Sequence, residues 1–326
     1  MRLPPPRGPL TDLLFDRLAR PPATLPDAPD PDGDEDFQLA LFACYEPHYQ
    51  GFDEVDDRWE WEPSLLRLRG LLEERFEREL AAAVPRPGPV PPGGVRRALT
   101  ELTADDAGPS VSLYLRHEAG LDAFREFVIH RSIYHLKEAD PHTWAIPRLT
   151  GRAKAALVEI QSDEYGGGRP ERMHCELFRH TMRGLGLDDS YGAYLARVPG
   201  VTLAVGNVMS LFGLHRRLRG ALAGHLAAIE MTSSEPNRRY AMGLRRLGGD
   251  AAATRFYEEH VQADAVHEQI AASDLCGGLA AAFPALTGDI LYGAACALAL
   301  ERRWAGHVMD HWGRGASSLL EEHVPA

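Results

Sequence analysis

Helical periodicity runs through most of this 326-residue chain, and alternating β-strand patterns are scarce. The segment SLLRLRGLLEERFERELAAA (64–83) sets leucines at helical spacing among i,i+4 opposite charges. Residues 121–139 place Phe124, Phe127, Val128, Ile133 and Leu136 along one stripe. That helix should stop before Asp140-Pro141, because the residue before a proline disfavours the α conformation. The same pattern predicts helices over 147–165, 170–187, 201–234, 251–275 and roughly 285–312. The expected fold class is all-α, a bundle of about seven to ten helices.

Two stretches interrupt this pattern. Residues 1–35 are rich in Pro and Asp, and a segment of that kind buries little apolar surface; it is expected to be flexible. The run VPRPGPVPPGG (84–94) reads as a loop. No internal repeat is present, so residues 36–326 are expected to form a single helical domain, and 44% hydrophobic content suffices for a large core.

Net charge narrows the partners. At −12 the chain is a poor match for nucleic acid or anionic membrane, where phosphates demand clustered Lys and Arg. A small-molecule substrate is the expectation. Four scattered cysteines without a CxxC pair suggest neither a disulfide framework nor a thiolate zinc site and fit a reducing cytoplasm. The N-terminus lacks the apolar core of a signal peptide. The apolar run at 277–300 is broken by Pro284 and Asp289, so it reads as buried helix rather than a membrane span.

One stripe breaks the apolar rule. In HVQADAVH (260–267), His260, Asp264 and His267 fall on one helical face, in line with Phe256 and Ala271. Glu258, Glu259, Gln262 and Glu268 already supply a solvent face. A solvated stripe is one reading. The other is a buried row that needs partners, and a divalent metal satisfies all three residues. Helical bundles gather such ligands from several helices. Glu230, at the end of an apolar stretch, is one candidate. The segment EYGGGRPERMH offers Glu164, Glu171 and His174, either as Glu171-x-x-His174 or as Glu164 with His174 across a triple-glycine turn. Glu138 stands at a helix end.

Taken together these residues resemble the haem-oxygenase-like diiron oxidases and oxygenases, the iron-containing redox enzymes, over about residues 110–285. The family's His-x3-Asp-x2-His pattern is present as His260, Asp264 and His267, and its Glu-x9-His pattern as Glu164 and His174. A family Glu preceding the first His falls on Glu230, and a further one on Glu138. The resemblance selects Glu164 over Glu171; a ferritin-like bundle would instead use Asp264-x-x-His267. It implies two Fe(II) ions, one held by Glu164, His174 and His267, the other by Glu138, His260 and Asp264. Glu230 would bridge them as the catalytic carboxylate. It also implies O2 as co-substrate and an external reductant.

The reaction expected from the resemblance is oxidation of a small free substrate, an aliphatic amino acid, by C–H abstraction with desaturation and onward cyclisation or cleavage. N-oxygenation and fatty-acid decarboxylation are the alternatives, and a helical metal-binding scaffold is the non-enzyme alternative. A homodimer is in keeping with the family. His307-x3-His311 has no matching Glu elsewhere and reads as packing. His130 and His135 precede Glu138, and either could orient it. Arg131, Arg152 and Arg179 are candidate cations for a substrate carboxylate.

Overall fold

The computed structural model describes residues 1–104 and 108–321, apart from the side chains of Asp264 and Ala265. Among the described residues there are fourteen α-helices and no strand. In order they are α1 (Pro9–Leu18), α2 (Gly33–Tyr45), α3 (Pro63–Ala83), α4 (Val95–Thr103), α5 (Val111–His117), α6 (Leu121–His135) and α7 (Asp140–Thr143), then α8 (Gly151–Glu164), α9 (His174–Gly184), α10 (Gly200–Leu214), α11 (Arg219–Arg246), α12 (Ala251–Gln269), α13 (Gly277–Ala282) and α14 (Thr287–Gly313). A π-helical segment, Ile270–Cys276, joins α12 to α13. The all-α expectation holds, with more and shorter helices than the periodicity alone predicts.

The extra breaks have local causes. The apolar stretch 201–234 is two helices, because the chain turns extended at His215. There the Arg148 guanidinium donates to the carbonyl oxygens of Gly213 and Leu214, which satisfies carbonyls that a helix end leaves open. The helix expected over 121–139 ends at His135. Residues 136–139 tighten into turns, with Lys137 N donating to Tyr134 O at 3.0 Å and Asp140 N to Lys137 O at 3.1 Å. This lifts Glu138 off the helix. Behind it the Lys137 ammonium is buried against Glu46 at 2.6 Å.

Residues 1–35 are corrected by the structure: they are not a flexible tail throughout. Within the Pro/Asp-rich segment, PLTDLLFDRL carries a helical period. As α1 it buries Leu10, Leu14, Phe15 and Leu18 in the common core. Asp36 of α2, fully buried, accepts from Leu10 N (3.1 Å), Thr11 N (2.9 Å) and Thr11 Oγ1 (2.6 Å), which caps the helix from outside. Composition masked a short apolar stripe.

Helix α11 packs against α5, α12 and α14. Its approach to α14 depends on glycine: a Cβ on Gly224 would lie 1.8 Å from Ile290 O, and one on Gly293 would lie 1.9 Å from Ala221 O. Among the described residues no helix is long and apolar enough to cross a membrane.

Candidate metal centre

Four helices and one turn bring acidic and imidazole side chains to one buried place. Glu164 ends α8 and His174 begins α9. Between them Gly166, Gly167 and Gly168 all take positive φ (65, 62 and 78°), which glycine reaches without a Cβ clash. The turn sets His174 Nδ1 2.8 Å from Glu164 Oε2. Glu171 stays exposed on the 3-10 turn Pro170–Arg172 and does not join them. Glu230 comes from the middle of α11. Two turns of α12 carry His260 and His267 on one face. All five are buried, and the Glu138 side chain is 11% exposed. The expectation for Asp264 falls on a side chain outside the described residues.

Donor atoms of Glu138, Glu164, His174 and His260 lie within 4.8 Å of one another, and those of Glu164, Glu230 and His267 form a second such group. Glu164 is common to both. The resemblance implied a different division, with His174 beside His267 and Glu230 shared. In the structure His260 Nε2 stands 3.6 Å from Glu138 Oε2, and His267 Nδ1 stands 3.5 Å from Glu230 Oε2.

Buried polar atoms normally make hydrogen bonds. Glu138 Oε2, Glu164 Oε2, His174 Nδ1 and His267 Nδ1 are buried without a well-formed one. Instead they converge on neighbouring ligand-type atoms, as donors do around a cation. Mixed imidazole and carboxylate donors suit iron, manganese or zinc, so the residues present fit iron.

Partners behind the site fix which atom each side chain presents. His260 Nδ1 donates to Phe256 O at 2.8 Å, leaving Nε2 for the site. His267 Nε2 donates to Asp163 Oδ2 at 3.1 Å, leaving Nδ1. His135 Nδ1 lies 2.9 Å from Glu138 Oε1, so Oε2 points inward. His135, rather than His130, therefore orients Glu138. His130 is held by Thr202 and Ser318. Asp163 carries no sequence signal beyond its place before Glu164, and periodicity misses it.

The charges respond to this packing. Burial disfavours the Glu138 carboxylate, but His135 and His260 outweigh that and hold its pKa well below the usual range. Burial likewise disfavours charge on His267, yet Glu230, Asp163 and Glu164 raise its pKa to about 9. His142, buried beside the site, is pushed down to about 4.

A cavity of about 460 Å³ opens onto Glu138, Glu164, Glu230 and His260. Its walls are largely apolar and aromatic, with Phe127, Ile229, Leu226, Tyr240 and Trp304 among them. Arg131 also lines it. Arg152 instead pairs with Asp274 on the surface, and Arg179 pairs with Glu176. His307 Nε2 donates to Ser318 O and His311 Nδ1 to His307 O, so this pair is spent on packing.

Comparison with known proteins agrees with this chemistry. Nitrosourea synthase from Streptomyces achromogenes subsp. streptozoticus is 26% identical over 149 residues, covering 46% of this chain and 32% of that protein. The chain thus matches about a third of that relative's length. The family described as iron-containing redox enzyme matches residues 125–302, which include Glu138, Glu164, His174, Glu230, His260 and His267. That match spans more than half of the chain, which is an oxidoreductase and belongs to the iron-containing redox enzymes.

Proposed function

We propose that this chain is an O2-dependent, non-haem diiron oxidase of specialised metabolism. Glu138, Glu164, His174, Glu230, His260 and His267 would hold the two irons, with Asp264 completing the set. The observation that carries the reading is Glu164, common to two adjoining groups of donor atoms. Paired cations in two-metal sites stand about 3.5–4 Å apart, a spacing that one carboxylate spans. Glu164 is accordingly the better candidate for the shared ligand. Glu230, which pairs with His267 and faces the cavity, is the candidate catalytic carboxylate.

Iron in such a site supplies electrons and open positions for dioxygen. The chain's own residues do the rest. His135 and Asp163 orient ligands, and apolar and aromatic side chains flank the buried carboxylates in the cavity wall.

The substrate is proposed to be an aliphatic amino acid, oxidised by C–H abstraction with desaturation and onward cyclisation or cleavage. Desaturation releases two electrons, whereas reduction of dioxygen to water takes four; an external reductant supplies the remainder. N-oxygenation is the second reading, favoured by the similarity to a nitrosourea synthase.

An aerobic screen of proteinogenic amino acids and fatty acids with Fe(II)-loaded protein, read by mass, tests this. Loss of two hydrogens from an amino acid supports desaturation, and a gain of oxygen supports the second reading. Turnover of fatty acids alone would overturn the substrate assignment, and absence of any O2 uptake would overturn the oxidase.

A further inference from the structure

The cavity has a second polar feature besides the metal ligands. Arg131 of α6 and Glu301 of α14 form a bidentate pair in its wall, with both N···O distances 2.7 Å. The guanidinium lies 3.8 Å above the Trp304 ring. Arg131 is 13% exposed and Glu301 is 37% exposed. A second opposite-charge pair, Arg239 with Glu235 at 3.1 Å, also lines the cavity, and Arg239 donates to Ser112 Oγ.

A partly buried pair of this kind is weak evidence for stability. Desolvating two charges offsets most of their attraction, and apolar residues of similar volume would serve a wall as well. What the pair offers a ligand is both signs of charge at one spot. Glu301 occupies one N–H on each terminal nitrogen, so further N–H groups remain to donate, and each Glu301 oxygen retains acceptor capacity. A lone carboxylate approaching Arg131 meets the charge of Glu301. A lone ammonium approaching Glu301 meets the charge of Arg131. A zwitterion matches both.

Position fixes the orientation. Arg131 stands on α6 one helical turn before His135, the residue that orients Glu138, and helical side chains lean towards the N-terminus, away from the turn that carries Glu138. Aromatic and aliphatic side chains line the same cavity as the pair and the candidate metal ligands. We propose that Arg131 and Glu301 form a head-group subsite for the zwitterion of a free α-amino acid, held so that its side chain, not its carboxylate, reaches the metal ligands. The inference rests on the oxidase reading above and specifies which carbons of the substrate react. The oxidised position lies several bonds from the α-carbon, and the subsite disfavours simple fatty acids and simple amines.

The test is calorimetric titration of the full chain, loaded anaerobically with Fe(II). The zwitterionic probes are L-norleucine, L-lysine and L-arginine. Hexanoate and pentylamine are norleucine without its ammonium and without its carboxylate. At least one zwitterion should bind, and norleucine should bind at least about tenfold more tightly than either fragment, the worth of one charge-assisted contact. Glu301→Gln should weaken norleucine about tenfold while leaving hexanoate as tight or tighter. Arg131→Gln should weaken norleucine and spare pentylamine. Arg131 is the more buried partner, so if that variant fails to fold the Glu301→Gln comparison decides.

The inference is overturned if no zwitterion binds, if hexanoate or pentylamine binds as tightly as norleucine, or if Glu301→Gln leaves norleucine affinity unchanged. Iron content of the same samples separates the two levels. Two irons per chain without head-group selectivity removes the subsite alone. No iron removes the oxidase reading and the subsite with it.

Discussion

At the scale of single residues, the site depends on groups that never reach its centre. Asp163 fixes the tautomer of His267, and His135 turns Glu138 inward. Outer partners of this kind typically tune metal affinity 10–100-fold. Asp163→Asn and His135→Phe should therefore each lower Fe(II) affinity by about that factor while leaving the far-ultraviolet circular dichroism unchanged, as anaerobic titration would measure. Equal affinity in both variants would remove their orienting role. The buried histidines also set a pH dependence. His142 is held neutral with a pKa near 4, and burial and the neighbouring His142 push His225 well below the ordinary value. In the unfolded chain both bind protons near 6.5. Below that pH the unfolded state carries more protons, so stability should fall as the pH drops from about 6.5 through 4. Urea midpoints across this range should show the loss, and His225→Leu should flatten it.

Among the elements, helices α1 and α11 carry the sharpest consequences. If α1 is core, Leu14→Ala should cost about 2–5 kcal/mol, as buried Leu→Ala changes do. A flexible tail would lose nothing, and chemical denaturation distinguishes the two. Gly224→Ala would push a methyl group into Ile290 O and force α11 from α14, costing about 1–3 kcal/mol by overpacking. Because α11 also carries Glu230, that variant should lose iron affinity as well as stability. These elements show where sequence reading stops. The 3.6-residue period was strong in α3 and α12, and both lie where it predicts. It could not see the break at His215, because the partner that satisfies the broken end, Arg148, is 66 residues from Leu214. In α1 the period is present but short, and the Pro/Asp-rich composition around it masked it.

At the scale of the whole molecule, the bundle collects candidate ligands from α8, α9, α11, α12 and the turn after α6 into one buried place beside a cavity. That His260 and His267 share a face was legible from helical phase, whereas the residues alone left Glu164 and Glu171 both open beside His174, and only the family resemblance selected Glu164. Which residues would share a metal was not legible, because that depends on how the ends of several helices come together, and no local pattern encodes it. The direct test is the iron bound per chain after anaerobic Fe(II) loading, counted by Mössbauer spectroscopy on the native protein and on Glu164→Ala. The account predicts two irons in the native chain and loss of at least one in the variant. One iron or none in the native chain, or two retained by Glu164→Ala, would contradict it.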